Sequence, residues 1–350
     1  MSRMRSNLLV HPDLGVEGIT LLDRARRSLP DIEWAALAPT IEAINGLKAQ
    51  RNAIVLAHNY MTPDIYHGVA DIVGDSLGLA REAARTDAEV IVFAGVHFMA
   101  ETAKITCPDK VVLIPDARAG CSLAESITGA DVRLLRQRYP GVPVVAYVNT
   151  SAEVKAEVDI CCTSGNAVEV VRSLGTDRVI FLPDQYLGHW VASQLPEVSV
   201  ILWEGGCMVH ERFTGEELRG YRAQTPGVQI LAHPECPPEV LAEADYVGST
   251  AGMIGFVKGL RSGHKVVMVT ECSMADNVAV EAPGVEFVRP CNLCPHMKRI
   301  TLDKILHSLQ TMTTEVHIPV GIAERARRSV DAMLAVPAGA PAPTPAGPTS

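Results

Sequence analysis

Short runs of aliphatic and β-branched residues alternate along the chain with stretches whose apolar residues recur at helical spacing. The strand-like runs are "AIVLAHNY", "EVIVFAG" and "KVVLIPD", then "VPVVAYVN", "RVIFLPD" and "VSVILWE", then "VQILAHPE", "KVVMVTE" and "VEFVRP". Helix-like stretches such as "SLGLAREAAR" and "MIGFVKGLRSG" lie between them. Strands that alternate with helices predict parallel βαβ units, so the chain is predicted to be an α/β protein.

The pattern repeats three times. When the first runs are aligned, His58, Tyr147 and His233 occupy one position, 89 and 86 residues apart. A small polar pair with at least one hydroxyl is predicted to open the next helix of each copy, as Asp75-Ser76, Thr163-Ser164 and Ser249-Thr250. A cysteine follows the third run of each copy, and these cysteines are Cys121, Cys207 and Cys294, 86 and 87 residues apart.

Three features recur at nearly the same spacing in all three copies. They predict three similar αβα domains with parallel sheets, related by pseudo-threefold symmetry around a central site. Functional residues in such sheets lie at the carboxyl ends of the strands, where the aligned residues are expected. The predicted segments are an N-terminal extension with helices (1–45), three units (46–133, 134–220 and 221–310), a C-terminal helical segment (311–334) and a disordered tail (335–350). The tail consists almost entirely of Pro, Ala, Gly, Thr and Ser, which leaves nothing to bury.

Charge, apolar runs and cysteine count argue against several classes of protein. The net charge of -9 and the pI near 5.7 argue against a general nucleic-acid or membrane-surface role. The N-terminus lacks the apolar core of a signal peptide, and no run approaches the roughly 18 apolar residues of a spanning helix. We therefore expect a cytoplasmic protein. Nine cysteines, an odd number in a long chain, are expected to be reduced thiols or metal ligands.

Three cysteines, one from each unit, are one ligand short of a closed zinc site. A 4Fe-4S cluster held by three thiolates leaves one iron open to substrate as a Lewis acid. The alternative is that these cysteines are small buried hydrophobic residues.

The polar pairs indicate anion binding, because a hydroxyl and free backbone N-H groups at a helix start accept carboxylate or phosphate. Ordinary N-capping is the alternative reading of each pair. Residues spaced i, i+2 at the strand ends face the same side of a strand and supply groups that move protons. These pairs are His58 and Tyr60, Tyr147 and Asn149, and His233 and Glu235.

Several motifs together resemble the quinolinate synthase family, iron-sulfur enzymes of bacterial NAD biosynthesis. They are "AHNYMTPDIYHGVADIVGDSLGLAREA", "FAGVHFMAETAKI", "ARAGCSLAES", "VAYVNTSAEVKA", "TSGNAV", "HPEC", "GSTAGM" and "CPHMKRITL". The resemblance extends from about Ala53 to Leu302 and includes every aligned feature.

The resemblance implies a condensing and dehydrating transferase that joins iminoaspartate to dihydroxyacetone phosphate and releases phosphate and two waters to give quinolinate. It implies functional coupling to an aspartate oxidase or dehydrogenase that supplies iminoaspartate. A 4Fe-4S cluster would be held by Cys121, Cys207 and Cys294. His58, Tyr60 and Glu235 would be catalytic, with Glu235 as general base. The substrate-binding residues would be His58, Ser76, Tyr147, Asn149, Ser164, His233, Glu235, Ser249 and Thr250.

Two rival readings stay open on the sequence. A zinc-dependent hydrolase or lyase would use Cys291, Cys294 and a histidine such as His296, whereas a noncatalytic binding module would need no metal. Cys291 itself is either a bystander or, because the spacing permits it, the partner of Cys294 in a regulatory disulfide. His210, after Cys207, is read as a support residue or part of a solvated turn.

Overall fold

Three four-stranded parallel sheets form the framework of the chain in a computed structural model that describes residues 20–337. The first sheet consists of β1 (Ala53–His58), β2 (Ile72–Gly74), β3 (Val90–Ala94) and β4 (Val111–Leu113). The second consists of β5 (Val144–Tyr147), β6 (Ile160–Cys162), β7 (Arg178–Leu182) and β8 (Ser199–Leu202). The third consists of β9 (Gln229–Ala232), β10 (Tyr246–Val247), β11 (Lys265–Val269) and β12 (Glu286–Val288).

The three sheets share one strand order, with the second strand at the edge beside the first, followed by the third and fourth. All pairings within the sheets are parallel. The predicted α/β class and the three similar αβα units are therefore confirmed. Of the predicted terminal segments, residues 1–19 and 338–350 lie outside the described residues.

Helices flank the sheets. In chain order they are α1 (Leu21–Ser28), α2 (Asp31–Gln50), α3 (Pro63–Gly68), α4 (Ser76–Arg85), α5 (His97–Thr106), α6 (Ser122–Glu125), α7 (Gly129–Arg138), α8 (Ala152–Lys155), α9 (Ala167–Ser173), α10 (Gln185–Gln194), α11 (Gly215–Gln224), α12 (Pro238–Leu241), α13 (Thr250–Lys258), α14 (Ser273–Glu281), α15 (Leu302–Thr311) and α16 (Val320–Ala335). Helix α2 packs against α15, while α16 packs against α5, α8 and β6. Within the described residues, none of the helices has the length and apolar character needed to cross a membrane.

The second strand of each unit was absent from the sequence prediction, because β2, β6 and β10 are only two or three residues long. Each begins directly after an aspartate. The carboxylate of this aspartate accepts a 2.7 Å hydrogen bond from a backbone N-H of the first strand in the same sheet, which is β1, β5 or β9. These aspartates are Asp71, Asp159 and Asp245, and they keep the period of the repeat. Each also pairs with a cation from the preceding helix: Lys48, Arg136 and Arg222 respectively.

The extra strand changes where the cysteines lie in the fold. Each repeat cysteine follows the fourth strand of its sheet and not the predicted third, because the short second strand adds one strand to each unit. Seven residues after each cysteine, a threonine caps the next long helix by accepting a backbone N-H bond. These threonines are Thr128, Thr214 and Thr301. The segment from the cysteine to the capping threonine therefore has the same length in all three units.

Apolar burial holds the sheets in place. The central strands read as continuous aliphatic runs because helices cover both faces of a parallel sheet. Val55, Ile91, Val145 and Val267 are examples of strand residues with no exposed surface. This rigid framework fixes the loops at the carboxyl ends of the strands, which is where the polar residues of the repeat collect.

Candidate active site

One cavity lies where loops from the carboxyl ends of all three sheets meet. It contains a cysteine from each unit. Every candidate site residue from the sequence lines it, except Ser249. These lining residues are His58, Tyr60, Ser76, Cys121, Tyr147, Asn149, Ser164, Cys207, His233, Glu235, Thr250 and Cys294.

The cysteine loops share one local geometry. In each loop, the backbone N-H groups two and three residues after the cysteine donate toward its sulfur. Burial nevertheless raises the pKa of the Cys121 thiol to about 12 and also raises the pKa of Cys207 and Cys294. A negative charge on Cys294 would further raise the pKa of Cys121, and a negative charge on Cys121 would further raise the pKa of Cys207, so the three sulfurs are close enough to interact electrostatically. Such a site favours thiolates once a cation balances their charge.

Glu235 lies at the centre of the polar wall and is buried. Its carboxylate accepts a 2.6 Å hydrogen bond from the Tyr147 hydroxyl, and its second oxygen lies 2.8 Å from Nδ1 of His210. Burial acts to raise the pKa of Glu235, but its contacts with His210 and with the Tyr147 hydroxyl outweigh burial, so the pKa lies below its usual value. Glu235 is therefore a carboxylate at neutral pH, the form that a general base requires.

His58 and His233 occupy equivalent positions and adopt the same local hydrogen bond. Each Nδ1 accepts the backbone N-H of the residue two positions later, at 3.2 Å and 3.3 Å respectively. Burial lowers the pKa of both histidines to about 3. Both rings are therefore neutral, with Nε2 as the N-H donor. The Nε2 of His233 lies 3.2 Å from the hydroxyl of Ser164.

Tyr60 reaches across to the third unit. Its hydroxyl lies 2.5 Å from the hydroxyl of Thr270, which in turn lies 2.9 Å from Nε2 of His210. Burial raises the pKa of Tyr60 well above its usual value, and the charge of Glu235 adds to the effect. Tyr60 is thus a neutral phenol that is joined by hydrogen bonds to the same histidine that contacts Glu235.

The predicted polar pairs open helices in the first and third units. Asp75 caps α4 and places Ser76 as its first residue, and Ser249 caps α13 and places Thr250 as its first residue. The Ser249 hydroxyl accepts the N-H of Gly252 as the cap of α13. Ser249 is not among the residues that line the cavity, and its role as a substrate ligand stays a prediction.

The second unit differs from the prediction. Its helix α9 begins only at Ala167, and the amide oxygen of Asn166 accepts the backbone N-H of Thr163 at 2.8 Å. Thr163 and Ser164 therefore lie in a polar turn before the helix. Both still line the cavity.

Two buried polar atoms in the cavity wall lack partners among the described residues. They are Oδ1 of Asn149 and Nδ1 of His296. Buried polar atoms are almost always hydrogen-bonded, so unpaired ones beside a cavity are expected to meet a ligand.

Comparison with known proteins now decides the family. The model of the family described as "NadA: Quinolinate synthetase A protein" matches residues 42–335. "Quinolinate synthase 1" of Mesorhizobium japonicum is 63% identical over 317 residues, which cover 91% of this chain and 97% of that protein. "Quinolinate synthase" of Sinorhizobium fredii is 58% identical over 330 residues, and these cover 94% and 91%. "Quinolinate synthase" of Xylella fastidiosa is 60% identical over 296 residues, and these cover 85% and 87%.

The chain belongs to the quinolinate synthase family. The family resemblance seen in the motifs is thereby confirmed, and with it a function in NAD biosynthesis. The match includes all three sheets and the whole cavity.

For this member of the quinolinate synthase family, the structure changes the reading of the local CxxC motif. Cys291 forms a disulfide with Cys272, whose Cα atom is 4.8 Å from its own, while Cys294 is free and faces the cavity. The hypothesis that Cys291 pairs with Cys294 is therefore wrong for this structure. The rival zinc site that combined Cys291, Cys294 and His296 is also inconsistent with it, because the Cys291 sulfur is already bonded.

Sequence reasoning underestimated His210 and missed Thr270. His210 is buried, lies 3.2 Å from the Cys207 sulfur and stacks on His233 with ring centroids 4.7 Å apart. The equivalent positions in the other loops are Ala124 and Met297, so the repeat contains no signal for a histidine there. Thr270 directly follows β11, and a polar residue at a strand end was the only available signal.

Proposed function

We propose that this chain condenses iminoaspartate with dihydroxyacetone phosphate and releases phosphate and two waters to form quinolinate. The observation that carries the proposal is the convergence of Cys121, Cys207 and Cys294, one from each sheet, on a single cavity with a proton-transferring wall. Membership of the quinolinate synthase family supports the same reaction.

The donor set suits a 4Fe-4S cluster held by Cys121, Cys207 and Cys294. The three thiols are free and partly buried, and each sulfur receives two backbone N-H groups, which suits an anionic cluster. When bound through three thiolates, such a cluster supplies an iron with an open position that polarises an oxygen of the substrate. The unpaired atoms of Asn149 and His296 suit polar contacts beside it.

The substrates together carry two carboxylates and one phosphate. Ser76 and Thr250 lie at the N-termini of helices of ten and nine residues, where backbone N-H groups and the helix dipole favour anions. Ser164 adds a hydroxyl from the polar turn of the second unit. Each unit thus provides one receptor at the cavity wall, which fits three anionic groups without a net positive charge on the protein.

Loss of two waters requires that protons leave carbon and reach the departing hydroxyl groups. Glu235 is the carboxylate best placed to accept a proton, and Tyr147 donates to it and holds its orientation. His58 and His233 carry their hydrogens on Nε2 and line the cavity, so they donate to substrate oxygens. Tyr60 completes the proton-transferring wall from the side of Thr270.

Iminoaspartate is the product of a two-electron oxidation of aspartate. The proposal therefore includes functional coupling to an aspartate oxidase or dehydrogenase that supplies it.

Anaerobic purification followed by assay tests the proposal. We expect a brown protein that forms quinolinate from dihydroxyacetone phosphate and freshly generated iminoaspartate. Cys207→Ala should lose iron and activity together. Cys107→Ser is the matched control, because Cys107 is a buried thiol that donates to the backbone oxygen of Ala83. An intact, fully active cluster in Cys207→Ala would refute the proposed ligand set.

A second candidate rests on one observation. The ligand atoms of Cys207, His210 and Glu235 lie within 4.8 Å of one another and can hold a single metal ion. A colourless protein that binds one zinc, and that cleaves or eliminates without forming quinolinate, would favour this candidate over the cluster.

A further inference from the structure

Lys155, the last residue of α8, is fully buried, and the proposed reaction does not use it. Lys48, which is also buried, pairs with the carboxylate of Asp71 at 2.8 Å. Lys155 has no such carboxylate partner among residues 20–337, and its amine contacts a backbone oxygen and an aromatic ring instead. Burying an amine costs free energy unless polar contacts replace water, so these contacts indicate what the residue does.

The amine of Lys155 joins two parts of the cavity wall. Its nitrogen donates a hydrogen bond to the backbone oxygen of Thr150 in the second unit. The same nitrogen lies 5.5 Å from the centroid of the Phe98 ring, which belongs to α5 of the first unit and lines the cavity. This distance is within the range of a cation-π contact. A primary amine donates the bond to Thr150 in its charged and in its neutral form, so the contact does not depend on titration of Lys155.

Thr150 closes the turn that carries Asn149. Its N-H donates to the backbone oxygen of Val148 at 2.8 Å, and its hydroxyl donates to the backbone oxygen of Tyr147 at 3.1 Å. Lys155 holds the remaining polar group of Thr150, its backbone oxygen, and Thr150 has no exposed surface. Asn149 lines the cavity, and its buried Oδ1 lacks a partner among the described residues. The turn therefore fixes the position of that oxygen at the cavity wall.

Helix α8 is itself anchored, so the amine is a fixed donor. The N-H of Ala152, at the start of α8, donates to the carboxylate of Glu101 in α5 at 3.0 Å. The backbone oxygen of Lys155, at its end, accepts the hydroxyl of Ser329 in α16 at 2.7 Å. Both ends of this short helix are thus tied to neighbouring helices, and Lys155 transmits that support to the turn.

We infer that Lys155 is a positioning residue that holds the Asn149 amide where it meets the substrate. The inference rests on the proposed function and deepens it. The Asn149 Oδ1 accepts a hydrogen from a hydroxyl or an imine group, and the proposed substrates contain both. Without the amine, the Thr150 oxygen would be buried and unpaired, which is unfavourable enough for the turn to shift and to move Asn149 with it.

Steady-state kinetics of the holoenzyme test the inference. Lys155→Met keeps a long side chain but removes the donor, and it should raise the KM of one substrate about tenfold, because a misplaced hydrogen-bond partner weakens binding. Lys155→Gln retains an N-H donor and should raise that KM less, about threefold. Lys48→Met is the matched control, since it removes a buried lysine away from the cavity and should lower stability without changing either KM. If Lys155→Met does not fold, Lys155→Gln carries the test.

A double-mutant cycle with Asn149→Ala separates positioning from general damage. Asn149→Ala removes the amide on which Lys155 acts, so a change at Lys155 should raise KM much less in that background than in the unmodified chain. A purely structural role would give the same factor in both backgrounds. The same factor, an unchanged KM in the Lys155 variants, or an equal rise in KM in Lys48→Met would each overturn the inference.

Hydrogen exchange gives a readout that does not depend on the reaction. Lys155→Met, or Lys155→Gln in its place, should speed exchange of the Thr150 amide, whose bond to Val148 closes the turn, while the amides of β9 keep the rates of the unmodified chain. Unchanged exchange at Thr150 would overturn the inference. If the unmodified chain forms no quinolinate, the proposed function fails, and this measurement still decides whether Lys155 holds the turn.

Discussion

The side-chain amide of Asn59, in the loop after β1, donates a 2.9 Å hydrogen bond to the hydroxyl of Thr250, the first residue of α13 in the third unit. An amide nitrogen is only a donor, so Thr250 must accept, and its own hydrogen is left free. Thr250 lines the cavity, and the free hydrogen is therefore available to an anion bound at the N-terminus of α13. A residue of the first unit thus orients a hydroxyl that we propose binds an anion in the third unit.

Reversing this bond should weaken substrate binding. Asn59→Asp replaces the donor with a carboxylate that takes the Thr250 hydrogen and repels an anion. We expect the KM of one anionic substrate to rise about tenfold or more, and Asn59→Ala to raise it less, about fivefold. Steady-state kinetics with each substrate varied in turn will measure this. Asn45→Asp is the control, since Asn45 lies beside Lys48 and outside the cavity. Unchanged KM values for both substrates in Asn59→Asp would contradict the assignment.

The charge of Glu235 should be needed for turnover. Glu235→Gln keeps the size of the side chain but removes the proton acceptor, so kcat should fall by about a hundredfold or more. Iron content and the visible spectrum should stay those of the unmodified chain, because Glu235 is not a proposed cluster ligand. Glu243→Gln, which alters an exposed partner of Arg219, serves as the control. A kcat within twofold of normal for Glu235→Gln would exclude it as the general base.

The two cysteines of the CxxC motif should behave differently. Cys294 faces the cavity, whereas Cys291 is bonded to Cys272. Cys294→Ser should lose iron and activity, while Cys291→Ser and Cys272→Ser should retain both. Iron analysis of the three variants, purified side by side without oxygen, provides the comparison. Loss of iron from Cys291→Ser alone would return Cys291 to the set of ligand candidates.

The equivalence of Cys121, Cys207 and Cys294 was predictable from the sequence, because their spacings of 86 and 87 residues are a long-range signal that no local motif contains. The second strands were not predictable from hydrophobic periodicity, since β10 has only two residues. The repeated Asp71, Asp159 and Asp245 would have revealed them. A hydroxyl at a helix start, such as that of Ser249, gives the same sequence pattern whether it caps the helix or faces a ligand, so the sequence alone does not separate the two roles. Thr250, the neighbour of Ser249, faces the cavity.

The centre of the site was least accessible to sequence reasoning. His210 and Thr270 have no counterparts in the other units, so the repeat that revealed the cysteines could not reveal them. Their importance follows from distances to Glu235 and Tyr60, which only the folded chain brings together. Pseudosymmetry therefore predicts the frame and the proposed cluster ligands, while the proposed proton-transferring wall depends on residues that break the symmetry.

The repeated ion pairs offer a test of burial with built-in controls. The side chains of Lys48 and Asp71 are 7% and 11% exposed, while those of Arg136 and Asp159 are 36% and 44% exposed. Lys48→Met leaves Asp71 buried without its cation and should cost about 3 kcal/mol of unfolding free energy. Arg136→Met should cost less than about 1 kcal/mol, because solvent screens an exposed pair. Urea unfolding monitored by circular dichroism will measure both. Equal losses would show that burial of the first pair has no energetic consequence.

Acid should destabilise the chain through its buried histidines, and His67 allows this to be measured away from the cavity. Burial, together with the charge of Arg24, lowers the pKa of His67 to about 3, against 6.5 for the unperturbed side chain. Between these values the unfolded chain binds a proton that the folded chain does not. Stability therefore falls as the pH drops from about 6.5 toward 3.

His67→Gln removes this one titration. Between pH 7 and pH 5 the unmodified chain should lose about 2 kcal/mol more unfolding free energy than the variant. The depressed pKa values of His58 and His233 act in both proteins, so their contribution cancels in the comparison. Urea titrations at the two pH values supply the four free energies. Equal pH dependence in the two proteins would mean that His67 takes up a proton in the folded state as readily as in the unfolded chain.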